Sequence, residues 1–303
     1  MTRTRRGVAA LLVASLAGCG GGGAEGEEGG KARRTASSEG GCYSRARLSV
    51  PAPDPERAVF VVVDQTTGLD DRLRVTVRDN LRRLLGPGTS YTIATFSAYG
   101  RGNYAQIAAS GEFEAPLGEE ARSGESMRRL EQLDGCLSRQ GEEKTAEALR
   151  DLDRAMLASA QAFTHSEIMA SLGQLSQAVR ASPAREKMVI LVSDLLEHSD
   201  GTTFYRDRGL RLIDPQAELR RAQESGLVAD FGDAAVAVVG AGLLAPGSGG
   251  DAVRNRPALH ALRSFWQAWF ERSNAEIAQY GEPDLVTPLQ WAAARGAQRP
   301  SGG

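Results

Sequence analysis

One stretch near the start of the chain restricts its fold more than any other. Residues 59–63, VFVVV, form an unbroken apolar run that leads directly into Asp64, two threonines and Gly68. Such a run is typical of a strand buried on both faces, as in the centre of a parallel sheet. Apolar residues then recur at helical spacing over residues 69–85, which predicts strand, loop and helix in that order. Because ligands bind outside the carboxyl ends of strands in open α/β sheets, residues 64–68 are the first candidate site.

Further segments repeat this pattern and predict an α/β sheet. Residues 187–194, KMVILVSD, run from an apolar stretch into Asp194, and residues 234–239, AAVAVV, form another buried strand. Residues 91–97 alternate in polarity, and an apolar segment at 104–109 follows after a short glycine-containing connection. The short connection predicts an antiparallel hairpin at one side of the sheet.

Helical periodicity predicts the remaining elements. Apolar residues recur at helical spacing over residues 145–163 and again over 168–179, with the polar tetrapeptide THSE between them. Ser166 or Thr164 would cap the second of these helices. A short helix is expected over residues 127–133, another after Asp214-Pro215, and a long one with an aromatic stripe over 257–280.

The first nineteen residues have the pattern of a targeting segment. Three arginines occur among the first six residues, and the predominantly apolar stretch of ten residues at 8–17 is too short to span a bilayer as a helix. The following sequence, LAGC, resembles the lipobox of bacterial lipoproteins, which implies cleavage before Cys19 and a lipid on its thiol. The alternative is an ordinary secretory signal that is cut elsewhere.

The rest of the chain divides by composition. Residues 20–41 are rich in Gly, Glu and Ser and have no large apolar side chain, so they are expected to form a flexible tether. One domain is predicted over residues 42–288, with a tail at 289–303. The lipobox resemblance implies a bacterial cell-envelope protein facing the periplasm. Gly20, rather than an acid, after the lipidated cysteine favours the outer membrane.

Charge and cysteine usage exclude some functions. The formal net charge is −2, and no basic stripe is interleaved with aromatic residues, which argues against nucleic-acid binding. No phosphate-binding Gly-x-x-x-x-Gly-Lys-Ser/Thr loop is present, so no nucleotide is expected. With Cys19 lipidated, Cys42 and Cys136 remain, and they either form a disulfide or are two separate buried thiols.

Polar residues from three loops are predicted to meet at one edge of the sheet. These loops hold Asp64 with Thr66, then Thr164 to Ser166, and finally Asp194. The order of the elements and the position of these loops resemble the von Willebrand factor type A family over residues 58–280. The resemblance implies a doubly wound, mostly parallel sheet with one antiparallel edge strand and helices on both faces.

The same resemblance implies a metal-ion-dependent adhesion site. Asp64 and Thr66 would be its first acid and first hydroxyl, Ser166 (or Thr164) its middle threonine, and Asp194 its last acid. Oxygen donors of this kind suit Mg²⁺ or Mn²⁺. The motif is degenerate because Gly68 lies where a second hydroxyl belongs, and the neighbouring Thr67 is expected to point elsewhere. If the metal is lost, the two acids would only order their loops.

The function implied is that of a membrane-anchored protein-binding module in adhesion, scaffolding or assembly, with an envelope-associated protein as partner and no catalysis. A second hypothesis is a metal-dependent hydrolase. In it, His165 and His198 would bind Zn²⁺ together with Asp64, Asp194 and Glu197. The paired-histidine motifs of zinc hydrolases are absent from the sequence.

Overall fold

The computed structural model describes residues 40–100, 103–157, 166–206, 209–244 and 256–291. The helices in these ranges are α1 (Cys42–Arg45), α2 (Asp71–Leu84), α3 (Glu119–Ser123), α4 (Met127–Leu157), α5 (Ile168–Ala181), α6 (Pro215–Glu224) and α7 (Arg256–Arg272). The strands are β1 (Arg57–Asp64), β2 (Thr89–Gly100), β3 (Asn103–Phe113), β4 (Glu186–Val192), β5 (Tyr205–Arg206), β6 (Gly209–Leu210), β7 (Ala234–Val239) and β8 (Ala275–Tyr280).

Six of the strands form one sheet in the order β3-β2-β1-β4-β7-β8. β1 lies in its interior and pairs in parallel with both β2 and β4. β7 and β8 continue the parallel arrangement, whereas β3 runs antiparallel to β2 at the edge. This confirms the predicted α/β class, a mostly parallel sheet with one antiparallel edge strand, which is the arrangement of a von Willebrand factor type A-like fold.

Helices cover both faces of the sheet, and β1 contributes to both cores. Phe60 and Val62 belong to a cluster that includes buried side chains of α5, α6 and α7. Val59, Val61 and Val63 belong to a second cluster with α2 and α4. The period of two along a strand separates these residues onto opposite faces. Because both faces of β1 are buried, the strand requires an unbroken run of apolar residues.

The predicted helices at 127–133 and 145–163 are joined in the structure. A single helix, α4, runs from residue 127 to 157, and residues 158–163 lie outside the described ranges. Its buried side chains are Leu130, Leu133, Cys136, Ala148, Leu149, Leu152, Ala155 and Met156. The polar turns between Cys136 and Ala148 interrupt this stripe without ending the helix, since they contain no proline. The prediction of two separate helices was wrong for this reason.

The long helix predicted over residues 257–280 was also too long. α7 ends at Arg272, and β8 begins at Ala275 as the edge strand next to β7. Between them, Asn274 has a φ of 51°, a left-handed conformation that asparagine tolerates better than most residues. Ile277, expected on the helix, lies instead in β8.

A third, smaller cluster joins α1 to α4. A disulfide links Cys42 to Cys136, and around it pack Tyr43, Ala46, Leu117, Leu130 and Leu133. The backbone N–H of Cys42 donates to the Glu114 carboxylate at 2.8 Å, just after the end of β3. At the other end of the domain sequence, Leu289 is buried and the Trp291 indole donates to the Leu84 carbonyl, so packing continues past residue 288.

None of the helices in the described residues has the length and apolarity that a membrane span requires.

Candidate functional site

Asp64 ends β1 and is fully buried. One of its carboxylate oxygens accepts hydrogen bonds from the backbone N–H of Thr66 at 2.9 Å and from the Thr66 hydroxyl at 2.6 Å. The other oxygen accepts from the Ser193 hydroxyl at 2.7 Å. The end of β1, the following loop and the end of β4 are thus joined through one side chain.

Asp194 follows β4 and is 5% exposed. Its Oδ1 accepts from the backbone N–H of Leu196 at 2.9 Å, and its Oδ2 accepts from the Tyr205 hydroxyl at 3.1 Å. Its own N–H donates to the Thr67 hydroxyl at 3.0 Å. Thr67 is buried and therefore points into this network, contrary to the expectation that it would point elsewhere.

Ser166 reaches the same place from the third loop. Its hydroxyl oxygen lies 3.2 Å from that of Thr66. Its backbone N–H and C=O form an antiparallel bridge with His198, with both hydrogen bonds at 2.9 Å. Ser166 is not the cap of α5, because the N-cap position belongs to Glu167. The structure thus brings Asp64, Thr66, Ser166 and Asp194 to one edge of the sheet; Thr164 lies outside the described residues.

Glu197 supplies the hydrogen bonds that a cap would give to α5. Its Oε2 accepts from the backbone N–H of Met169 at 3.0 Å, in the first turn of the helix. Burial raises the pKa of this carboxyl to about 7, against the lowering effect of its backbone hydrogen bonds to Met169 and Ile168. Glu197 therefore holds the start of α5, two residues beyond Ser166, from the loop after β4.

Two negatively charged aspartates close together in a buried site are electrostatically unfavourable. Burial raises the pKa of Asp64, while hydrogen bonds from Thr66, Ser193 and Thr67 oppose the rise. Burial and the nearby Asp64 charge raise the pKa of Asp194 to about 8. Among the described residues, neither carboxyl forms an ion pair with a lysine or arginine. A bound cation would compensate the two charges.

The donors themselves fit a hard divalent cation. Adjacent ligands of an octahedral Mg²⁺ lie about 2.9 Å apart. The Thr66 hydroxyl is 2.6 Å from an Asp64 oxygen and 3.2 Å from the Ser166 hydroxyl, which brackets that spacing. Gly68 contributes no side-chain donor. The residues that would hold the cation are Asp64, Thr66 and Ser166, with Asp194 supplying negative charge beside them.

The residues of the zinc hypothesis are arranged differently. The Nδ1 of His198 is 2.8 Å from the Thr203 hydroxyl, and its ring packs edge-on to Tyr205 with centroids 5.8 Å apart. Glu197 is engaged with α5, and His165 lies outside the described residues. In the part of the chain that the structure describes, no group of three or more His, Cys, Asp or Glu side chains is placed to hold a metal.

Comparisons with known proteins add little about function. No protein-family model and no curated protein matches the sequence. Among solved structures, the chain is similar to an aerotolerance-related membrane protein from Bacteroides fragilis NCTC 9343, at 13% identity and a TM-score of 0.34, over 73% of this chain and 90% of that one. It is also similar to the pilus adhesin SpaC from Lactobacillus rhamnosus GG, at 16% identity and a TM-score of 0.35, over 75% of this chain and 29% of the adhesin. At these values neither similarity carries an argument about what the chain binds.

Sequence reasoning missed three residues of the site: Thr67, Ser193 and Tyr205. Ser193 immediately precedes Asp194 at the end of an apolar run, so its position at a strand end was a usable signal. Tyr205 lies eleven residues beyond Asp194 in a two-stranded ribbon with β6. No local pattern in the sequence connects it with the aspartate, because only the fold of the intervening loop brings the two together.

Proposed function

We propose that this chain is a protein-binding module of the von Willebrand factor type A kind. Its binding surface is the carboxyl edge of the sheet around Asp64, Thr66, Ser166 and Asp194. The observation that supports it best is the meeting of two separate loops at the Thr66 and Ser166 hydroxyls, 3.2 Å apart, with the third loop joined to them by the bond from the Asp194 N–H to Thr67. The domain acts at the bacterial envelope, anchored by a lipid on Cys19 and facing the periplasm, with the outer membrane favoured.

The proposed site takes a divalent cation, Mg²⁺ or Mn²⁺. When bound, the cation would supply a coordination position for an acidic group of the partner protein. The chain's own residues hold the site ready: Ser193 and Thr66 fix the Asp64 carboxylate, while Tyr205 and Leu196 fix that of Asp194. Catalysis is not part of the proposal.

Calorimetric titration with Mg²⁺, Mn²⁺ and Zn²⁺ tests the cation site. The protein is the full-length chain carrying Cys19→Ser, so that it cannot be lipidated there. Mg²⁺ or Mn²⁺ binding is expected and should be lost in Asp64→Ala. Asp71→Ala is the matched control, since Asp71 is an acid in the first turn of α2 with a fully exposed side chain.

Loss of binding in Asp64→Ala could reflect disruption of a buried network, so Ser166→Ala provides a milder variant. It removes one hydroxyl and no charge, and it should weaken Mg²⁺ binding while leaving the unfolding midpoint nearly unchanged. Zn²⁺ binding that disappears in His198→Ala would favour the hydrolase hypothesis instead. Absence of binding for all three ions leaves Asp64 and Asp194 with a loop-ordering role only.

Partner binding is tested by capture from solubilised envelope membranes with the native chain and with Asp64→Ala, each with and without chelator. A partner that is captured only by the native chain, and only without chelator, supports the proposal. Capture that is the same in all four conditions would contradict a cation-dependent contact at this edge.

A further inference from the structure

A second candidate site lies beside the disulfide, away from the loops around Asp64. It is a cavity of about 570 Å³ between α1 and α4, within the size range of small-ligand pockets. Its lining residues are Arg45, Arg128, Glu131, Gln132, Gly135, Cys136 and Arg139. We call the three arginines, with the cavity that they surround, the arginine groove.

The arginine groove is built by helical spacing and by the disulfide. Arg128, Gln132, Gly135 and Arg139 recur every three or four residues and so share one face of α4. Gly135, midway along this face, has no side chain, and the Arg139 guanidinium lies over it, with Nη1 3.7 Å from the position that a Cβ would take there. Arg45 comes from α1, which the disulfide between Cys42 and Cys136 fixes against the same helix.

The positive charge of the groove is not neutralised by neighbouring acids. Elsewhere near the amino end of α4, Arg122 of α3 pairs with Asp134 at 2.7 Å, and Arg129 pairs with Glu125 at 3.2 Å. Within the described residues, the three arginines of the groove form no ion pair. Three guanidinium groups against the single carboxylate of Glu131 leave a local excess of two positive charges.

We propose that the arginine groove binds a phosphate group carried by a small organic ligand or by a lipid headgroup. Guanidinium groups bind phosphate through paired, charge-assisted hydrogen bonds. The excess of positive charge suits an anionic phosphate, either as a monoester dianion or as the phosphodiester of a lipid headgroup. The cavity is larger than phosphate alone, which leaves room for the organic part of the ligand.

The groove lies at the amino edge of the parallel strands, opposite the loops around Asp64. The first residue of β2, Thr89, pairs with the last residue of β3, Phe113. Cys42 is hydrogen-bonded to Glu114, so α1 sits at the amino edge of the parallel strands, opposite the edge that carries Asp64. The first described residues, 40 and 41, lead into α1 at this amino edge.

The test compares Arg128→Gln, Arg139→Gln and their combination in the full-length chain carrying Cys19→Ser. Binding of glycerol 3-phosphate and inorganic phosphate is measured by calorimetry. Sedimentation is measured with vesicles of equimolar phosphatidylglycerol and phosphatidylcholine, and with phosphatidylcholine alone. The matched control is Arg150→Gln, which changes the same charge at an exposed position of α4 outside the groove.

We expect each single variant to weaken binding about tenfold, the effect of losing one charge-assisted contact, and Arg150→Gln to have no such effect. A loss seen with the soluble phosphates identifies a soluble ligand. A loss seen only with the phosphatidylglycerol vesicles identifies a lipid headgroup. If neither probe binds, or if Arg150→Gln weakens binding as much as Arg128→Gln, the groove is not a phosphate site. Neither a positive nor a negative outcome of this test affects the proposed cation site at Asp64.

Discussion

At the scale of single residues, the candidate site is a pair of buried carboxyl groups held by uncharged donors. Asp64 receives two hydroxyls and a backbone N–H, and Asp194 receives a backbone N–H and the Tyr205 hydroxyl. Such bonds stabilise the charged carboxylates, but burial outweighs them and raises both pKa values. The site is thus polar and pre-arranged, and a bound cation would favour the charged form of both carboxyl groups.

Gly68 is the residue at which the site departs most clearly from the adhesion motif. It is exposed and follows Thr67 in the loop after β1. Gly68→Ser would restore the missing hydroxyl, so we predict that Mg²⁺ binds about tenfold more tightly to this variant, as one added ligand would give. Titration calorimetry of the two proteins measures the change.

Gly118→Ser is the matched control for this prediction, since Gly118 is exposed and no atom would lie within 4 Å of an added Cβ. It should leave the Mg²⁺ affinity unchanged. An affinity of Gly68→Ser equal to that of the native chain would mean that this position does not face the cation.

The sequence was sufficient to name the residues of the site that follow strands directly. Asp64 and Asp194 end apolar runs, and the fold brings strand ends together, so their proximity follows from strand order alone. Tyr205 could not be found in this way. Its contact with Asp194 depends on the path of the loop after β4, which no period in the sequence encodes.

At the scale of elements, the loop after β4 organises the start of α5. Glu197 accepts the N–H of Met169, and the His198 backbone pairs with that of Ser166. The same loop is also bound by α7, because the Trp266 indole donates to the Leu195 carbonyl at 2.9 Å. The position of Ser166 therefore depends on two helices and one loop rather than on its own segment.

This arrangement predicts a pH dependence of stability. The carboxyl of Glu197 has its pKa raised by burial from 4.5 to about 7. Between these values the folded state binds a proton that the unfolded state has released. The resulting contribution to the free energy of unfolding, on the order of 3 kcal/mol, is fully present below about pH 4.5. It is lost as the pH rises through about 7.

Glu197→Gln removes this titration and keeps an oxygen acceptor for the first turn of α5. We therefore predict a smaller fall in the free energy of unfolding between about pH 5 and about pH 8 than in the native chain. Urea unfolding at several pH values, in the presence of chelator, measures it. Glu119→Gln, at an exposed position of α3, should retain the native slope, and a native slope in Glu197→Gln would contradict the assignment.

The helices and strands were predictable where the spacing of apolar residues fitted only one kind of secondary structure. The buried run before Asp64 and the leucine spacing of α2 each allowed a single interpretation, and both were confirmed. Errors arose where the pattern was mixed. The middle of α4 has polar residues even on its half-buried face, where Gln140 and Lys144 bind Glu114 and Glu112, and this obscured its continuity. β8 follows α7 after a turn of only two residues. Asn274 at that turn was the available signal, since asparagine favours the left-handed conformation that ends helices.

At the scale of the whole molecule, two candidate sites lie at opposite edges of one sheet. Asp64 is at the carboxyl edge of the parallel strands, while Arg45 and the disulfide are at the amino edge. The two candidate sites therefore do not overlap.

The proposed lipid anchor leads to a prediction about membrane attachment. The native chain should stay with the membrane fraction through a high-salt wash and leave it only in detergent, because a lipid on Cys19 is held by apolar contact. The Cys19→Ser chain should be released by the wash, since its remaining attachment through the arginine groove is electrostatic and is screened by salt. Fractionation followed by immunoblotting measures both.

The double variant Cys42→Ser/Cys136→Ser is the control, because it removes the other two cysteines and leaves Cys19 in place. It should remain in the membrane fraction after the wash, although it loses the disulfide, which contributes about 4 kcal/mol for a crosslink that closes so long a loop. If Cys19→Ser also resists high salt, the attachment does not depend on a lipid at that residue. If the double variant is released instead, the disulfide-linked edge carries the attachment and Cys19 does not.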